Sequence, residues 1–546
     1  MAEIMNTSAS GRAILHPLEP LTAGEIAEVT RVVRMNEGLS PHFRFISVTL
    51  HEPPKELVRT FTEGDSFTRE AEVILIDQGK TYEMVVDIVG GRVVEFQHVP
   101  GIQAPIPFEE AIECETCVKS YPPFQEAMRT RGITDMDLVM VDSWPAGYYG
   151  ADDDASRRLS RPLIFVRFGP NDNGYAHPVE GLHLVVNLTN MEVVLFEDHG
   201  VMPIPPEAGN YTPDTTGSLR SDLKALEITQ PDGPSFLVKD GYLVRWQKWQ
   251  FRIGFTHREG LVLYNVGYED QGRLRPILYR MSVAEMIVPY GDPSALHYRR
   301  NVLDMGEHGL GVQANSLELG CDCLGEIAYF DAHLTDGQGN VVTKKNVICM
   351  HEEDYGVLWK HTNFRTEEVQ VRRSRRLVVS FFTTVGVYDY GFFWYFYQDG
   401  SIQVEVKLTG IMSTRGMLTG EPAKPKYGTL VAPGLNAMIH QHFFSFRMDM
   451  EVDGPQNSVS EVHIEAEPEG PMNPYGNAFF AKETLFTREQ EAQQVIDPLA
   501  GRYWKVINSH SRNRMGDAVG YKLMPDENAV AFAQPGAFFL KRALFT

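Results

Sequence analysis

The first periodic signal along the chain is helical. Ile26, Val29, Val32 and Val33 recur at three- and four-residue intervals, which puts apolar side chains on one helix face. Thr22 and Glu25 stand just ahead with capping-box spacing, so a helix is predicted over 23–35. The period then changes. Residues 43–51, 71–77 and 81–97 alternate apolar with polar positions, and Gln78-Gly79 and Gly90-Gly91 supply turns, which predicts an antiparallel sheet packed on the helix. The same order returns after the loop Pro100–Pro107, with helix signals at 107–131 and strands at 137–142, 162–168 and 182–197. A proline- and glycine-rich stretch at 200–235 reads as an irregular connector, and from 240 onward short strands and turns replace helical spacing. There GFFWYFYQ (391–398) runs into Asp399-Gly400, after which Ile402, Val404, Val406 and Leu408 alternate with polar residues. That pattern predicts a hairpin with one buried face. The expected class is α+β: two small helix-plus-antiparallel-sheet domains (1–101 and 102–215), a connector (216–239) and a large antiparallel β-sandwich (240–546).

Composition narrows the function classes. With 546 residues, 43% hydrophobic and 22% charged, the chain is expected to fold throughout as several domains. A formal net charge of -22 repels phosphate backbones and anionic lipid, so no nucleic-acid partner is expected and cationic ligands are favoured. The opening MAEIMNTSASGRAILHPLEP lacks a basic segment followed by an apolar core, and no run of about 18 apolar residues occurs. The expectation is a soluble intracellular protein, cytoplasmic or peroxisomal, with no signal peptide and no membrane partner. Leu544, Phe545 and Thr546 match no targeting address. Five cysteines, Cys114, Cys117, Cys321, Cys323 and Cys349, are too few for a disulfide scaffold, and Cys114 and Cys117 read as ordinary structural residues.

Three features carry potential chemistry. His440 and His442 flank Gln441, and in a strand residues two apart share a face, so two imidazoles converge. That pair suits copper, zinc, iron or nickel; polar pairing is the plain alternative. In Val387-Tyr388-Asp389-Tyr390, spacing alone announces only packing tyrosines. Asp304 stands among apolar and glycine residues in Leu303-Asp304-Met305-Gly306-Glu307, either as a turn aspartate or as a buried carboxyl of raised pKa.

These features occur in order within text that resembles copper amine oxidases: GRLRPILYRMSVAEMIVPYGDP (272–293), NSLELGCDCLGEIAYFDA (315–332), ICMHEEDYGVLWKH (348–361), RRSRRLVVSFFTTVG (372–386) and YDYGFFWYFYQDGSIQVEVKLTG (388–410). The resemblance implies oxidative deamination of a primary amine to an aldehyde, with dioxygen as acceptor and release of ammonia and hydrogen peroxide. It makes Tyr388 the precursor of topaquinone, the Schiff-base-forming cofactor, between Val387 and Asp389. It makes Asp304 the proton acceptor, Tyr290 the hydrogen-bond partner of the quinone, and His440 and His442 copper ligands. It further implies a Cys323–Cys349 disulfide closing a loop of about 27 residues, a contribution of about 3 kcal/mol by loop entropy. Asp449 and Met450, followed by Glu451, resemble part of a peripheral calcium or manganese site, and a homodimer is implied.

The sequence departs from that pattern in places. Val387 stands where asparagine is usual, His308 where tyrosine is usual, and Val302 near an aromatic gate. The resemblance places the third copper histidine further downstream than Thr546, which leaves His463 and His510, predicts weaker copper binding, and predicts exposed strand edges and apolar surface. The alternative reading is a catalytically silent relative serving as a binding or scaffold protein.

Overall fold

Thr22 caps the first helix as its spacing predicts. Its hydroxyl accepts the Glu25 N–H, and the Glu25 carboxylate accepts the Thr22 N–H at 2.8 Å. In the computed structural model, which describes residues 14–149, 157–217, 220–525 and 528–542, this helix runs Ala23–Arg34. The opening residues up to 13 and Leu544, Phe545 and Thr546 lie outside the described residues. Ile26, Val29, Val32 and Val33 pack on a four-stranded antiparallel sheet of Arg44–Leu50, Glu70–Asp77, Lys80–Asp87 and Arg92–Val99. Glu25 does a second job there: buried Arg69 donates to it at 2.8 Å and to the carbonyls of Pro17 and Pro20. The helix Lys55–Thr60 was not predicted, because six residues carry too little periodicity to read.

In the second unit the helix signals at 107–131 belong to two helices, Phe108–Ser120 and Pro122–Thr130. Pro122 and Pro123 lack an N–H and hold Tyr121 extended, at φ −75° and ψ 116°, so the first helix must stop there. The strands form two small sheets rather than one: Val139–Asp142 with Leu163–Val166, and Leu159–Ser160, Leu182–Asn187 and Glu192–Asp198. Between Asp198 and Phe236 the described residues hold only the short helix Pro213–Thr216.

The large domain packs a seven-stranded sheet, centred on Gly260–Asp270 and Arg273–Pro289, with a five-stranded sheet. The five strands are Ile327–Thr335, Val341–Thr362, Val369–Val385, Tyr388–Tyr397 and Ile402–Gly410, in that order. Rings fill the space: Phe251 stacks on Phe396 at 4.5 Å and Phe381 on Phe392 at 5.1 Å. The buried hairpin face is present, with Ile402, Val404 and Val406 packed on the main core, and the first strand of the hairpin is covered on its other face as well. Tyr388–Tyr397 lies inside its sheet, with Phe392, Trp394 and Phe396 in the main core and Phe393 and Tyr395 in a second buried cluster with Val378. An interior strand covered on both faces reads as a continuous apolar run, which GFFWYFY is. Ile402–Gly410 is the sheet edge, and Leu408 is 49% exposed. No described helix is long and apolar enough to cross a membrane.

Phe392→Ala is expected to cost the sandwich about 3–5 kcal/mol through the cavity it leaves, seen as a lower urea midpoint. Leu408→Ala should change it by no more than about 0.5 kcal/mol.

Candidate functional site

A two-residue turn, Gly386-Val387, joins Val369–Val385 to Tyr388–Tyr397, with Val385 paired to Tyr388. Gly386 adopts φ +61°, a left-handed conformation that glycine takes at no steric cost. Tyr388 is therefore the first residue after a tight hairpin and cannot slip in register. Its hydroxyl lies 3.0 Å from His440 Nε2 and accepts the Ser413 N–H at 3.2 Å.

The two histidines sit in the extended link between Leu435–Met438 and Phe443–Met450, rather than within a strand. Backbone pairing still holds them. His440 forms a bridge with Tyr290, while the Gly291 N–H donates to Ile439 O at 2.9 Å and the Gln441 N–H to Pro289 O at 3.1 Å. The ring centroids of His440 and His442 are 4.8 Å apart, so the predicted convergence is present. His440 Nδ1 is 2.8 Å from Met438 O, a contact only an Nδ1–H can make, which leaves the Nε2 lone pair facing Tyr388. His442 Nδ1 is 3.1 Å from the Tyr390 hydroxyl. Burial holds both imidazoles below their usual range, His442 at about 4, so both are neutral at pH 7. Neutral imidazoles are the ligand form, and nitrogen donors of this kind fit a copper ion as two of its ligands. Among the described residues no third His, Cys, Asp or Glu closes up with them. His463 is held elsewhere by Glu461 and Glu465.

Asp304 opens the single-turn helix Asp304–Glu307 and is 4% exposed. Buried Glu285 fixes that turn by accepting the Met305 N–H at 2.8 Å and the Gly306 N–H at 3.1 Å. Burial, then the charges of Glu307 and Glu285, push the Asp304 carboxyl well above the ordinary range. Glu307 is ion-paired with Arg542.

Asp304, Tyr290, Val387, Tyr388 and Tyr390 all line one cavity of about 790 Å³, which extends between the large domain and the two N-terminal units. Val302 and His308 line it as well, with the His308 imidazole lowered to about 4 by burial and then by Arg158. Asp389 turns aside to accept a hydrogen bond from the Thr384 hydroxyl. Two wall residues carry no sequence signal. Arg300 is buried between the rings of Trp144 and Tyr290, at 4.8 and 4.9 Å, and donates to Ser413 Oγ at 2.6 Å. Asp142, from the second unit, is raised to about 6 by burial and accepts from the Tyr175 hydroxyl at 3.3 Å. Asp142 ends a predicted strand and Arg300 lies between strands, and neither position carries a motif that marks it as part of a site, so only the assembled fold reveals them.

The remaining predicted residues lie elsewhere. Cys323 and Cys349 are joined as a disulfide. Asp449 meets Lys55 Nζ and Glu451 meets Arg59, both from the helix Lys55–Thr60. The charge of these two carboxylates is thus answered by the chain's own cations.

Comparison with known proteins agrees with this geometry. The sequence model described as copper amine oxidase, enzyme domain, matches residues 237–546, and those of the N3 and N2 domains of copper amine oxidases match 109–213 and 16–99. A peroxisomal copper-containing diamine oxidase of Nicotiana tabacum is 47% identical over 99% of this chain and 75% of its own length. A primary amine oxidase of Arthrobacter sp. (strain P1) is 44% identical over 99% of this chain and 83% of its own. Among solved structures, a copper-containing benzylamine oxidase from Hansenula polymorpha superposes with a TM-score of 0.87 at 30% identity, covering 97% of this chain and 85% of that one. The chain belongs to the copper amine oxidase family.

Proposed function

We propose that the chain oxidises a primary amine to an aldehyde at the cavity shared by Tyr388 and Asp304. The observation that carries this reading is the Tyr388 hydroxyl 3.0 Å from His440 Nε2, at the wall of the cavity that also exposes Asp304. Copper held by His440 and His442, together with topaquinone derived from Tyr388, would supply the electron-accepting chemistry, with dioxygen reduced to hydrogen peroxide and ammonia released. The chain's own groups do the rest. Asp304, desolvated and raised in pKa, takes the proton from the substrate carbon next to nitrogen, and its burial makes it a stronger base once ionised. Tyr290, stacked on His440 at 4.7 Å and itself raised in pKa by burial, keeps its proton and offers a hydrogen bond to the oxygen at Tyr388. Ser413 N–H and the Gly386-Val387 turn orient the Tyr388 ring.

The tobacco relative is named a diamine oxidase and the Arthrobacter relative a primary amine oxidase; the class common to both, a primary amine, is the one proposed here. The peroxisomal naming of the tobacco protein supports an intracellular, peroxisomal or cytoplasmic setting. Support for a homodimer comes from the long hairpin Val341–Val385, whose exposed Val357, Trp359 and Phe364 offer apolar surface to a second copy. A peripheral calcium or manganese ion at Asp449 and Met450 would have to displace Lys55. No observation favours the silent-scaffold alternative.

Aerobic copper loading followed by phenylhydrazine should give a visible hydrazone band in the parent protein and none in Tyr388→Phe; a band of equal size in that variant would sink the assignment. Asp304→Asn should lower amine-dependent peroxide production about 10²–10⁴-fold, the usual contribution of a general base, while leaving the hydrazone in place. Because the base must be ionised, activity should rise with pH through the Asp304 pKa. Glu307→Gln removes a like charge that raises that pKa, so the acidic limb of the profile should move to lower pH. A limb that stays put or moves upward would show that Asp304 is not the group titrating.

A further inference from the structure

Cys349, His351 and Glu353 alternate along the strand Val341–Thr362, so their side chains share one face. Cys323 reaches the same face from the turn ahead of Ile327–Thr335. The two sulfurs and a ring nitrogen of His351 all lie within 4.8 Å of one another, and all three residues are buried. His351 points one nitrogen each way: Nδ1 is 3.4 Å from Cys349 Sγ, and Nε2 is 3.2 Å from a Glu353 carboxylate oxygen. Glu353 is fixed in turn by the Arg376 Nε–H at 2.8 Å. Leu317, Ile327, Tyr329 and Phe382 pack around the sulfurs.

We propose that, once the Cys323–Cys349 disulfide is reduced, Cys323, Cys349 and His351 bind a thiophilic d10 ion, zinc(II) or copper(I), at a site separate from His440 and His442. Two thiolates and an imidazole are the donors such ions select, whereas hard ions prefer carboxylate and carbonyl oxygen. A carboxylate on the far nitrogen of a histidine is also the arrangement that orients a ligand imidazole and raises its basicity; Glu353 occupies that place before any metal arrives. The apolar surround excludes competing water. A dithiol reductant cleaves the S–S bond, supplying two electrons and two protons and leaving as its own disulfide. Metal binding then releases the two thiol protons as both sulfurs coordinate. Disulfide and metal site use the same sulfurs, so each state excludes the other and the thiol redox state sets occupancy.

The test compares the same full-length protein oxidised and dithiol-reduced under argon, titrated with zinc(II) and, in a separate arm, with copper(I), against a chromophoric chelator. The reduced protein should hold one more equivalent than the oxidised protein, and the arm that retains it identifies the ion. Cobalt(II) should give a thiolate charge-transfer band only after reduction. Cys349→Ser should lose the extra equivalent, and Glu353→Gln should weaken it about 10–100-fold, as removal of a ligand's hydrogen-bond partner does, with the cobalt band retained. Equal uptake by the oxidised and reduced protein overturns the proposal. So does an unchanged affinity in Glu353→Gln, a readout that stands even where Cys349→Ser fails to fold.

Discussion

The site depends on backbone pairing between segments far apart in sequence. One bridge ties Tyr290 to His440, and a two-residue turn sets Tyr388 opposite Val385. A shift of one residue in either ladder turns the side chain to the other face. Tyr388 would then leave His440, and His440 would lose its stacking on Tyr290. The apolar packing of Phe381, Phe392, Trp394 and Phe396 supports function because it makes such a slip costly.

Electrostatics builds on that frame. The same low-dielectric surroundings act on each group according to its charge: they raise Asp304, Tyr290 and Tyr388, and they lower His440 and His442. The outcome is a carboxyl of raised pKa in the cavity wall and, at neutral pH, two neutral imidazoles against the hydroxyls of Tyr388 and Tyr390. Arg300 adds a fixed positive charge between Trp144 and Tyr290, held by carbonyl, hydroxyl and ring faces. A buried cation is costly, and this one lies against Tyr290, whose ring stacks on His440.

Local rules carried much of this architecture. The Thr22–Glu25 capping box, the alternating strands of the first unit and the Asp399-Gly400 hairpin all follow from near neighbours. The convergence of His440 and His442 was readable from the two-residue period, although both sit just outside regular strands. Pro122-Pro123 is a local break that divides the helix signals at 107–131. Coverage of Tyr388–Tyr397 on both faces was harder, since it depends on which strands flank it. Nothing local marked Arg300 and Ser413, which reach Tyr388 through the tertiary packing of the large domain, or marked Asp142, which comes to the same cavity from the second unit. The roles proposed for Tyr388 and Asp304 rest on family resemblance, because spacing alone reads the first as packing and leaves the second between a turn aspartate and a buried carboxyl.

The central claim is that His440 and His442 hold copper beside Tyr388. Electron paramagnetic resonance of the copper(II)-loaded protein, read for nitrogen hyperfine coupling, tests it most directly. The account predicts coupling to both imidazoles, with one nitrogen lost in His440→Ala and one in His442→Ala while each variant keeps its fold. A copper signal unchanged by either substitution would contradict it.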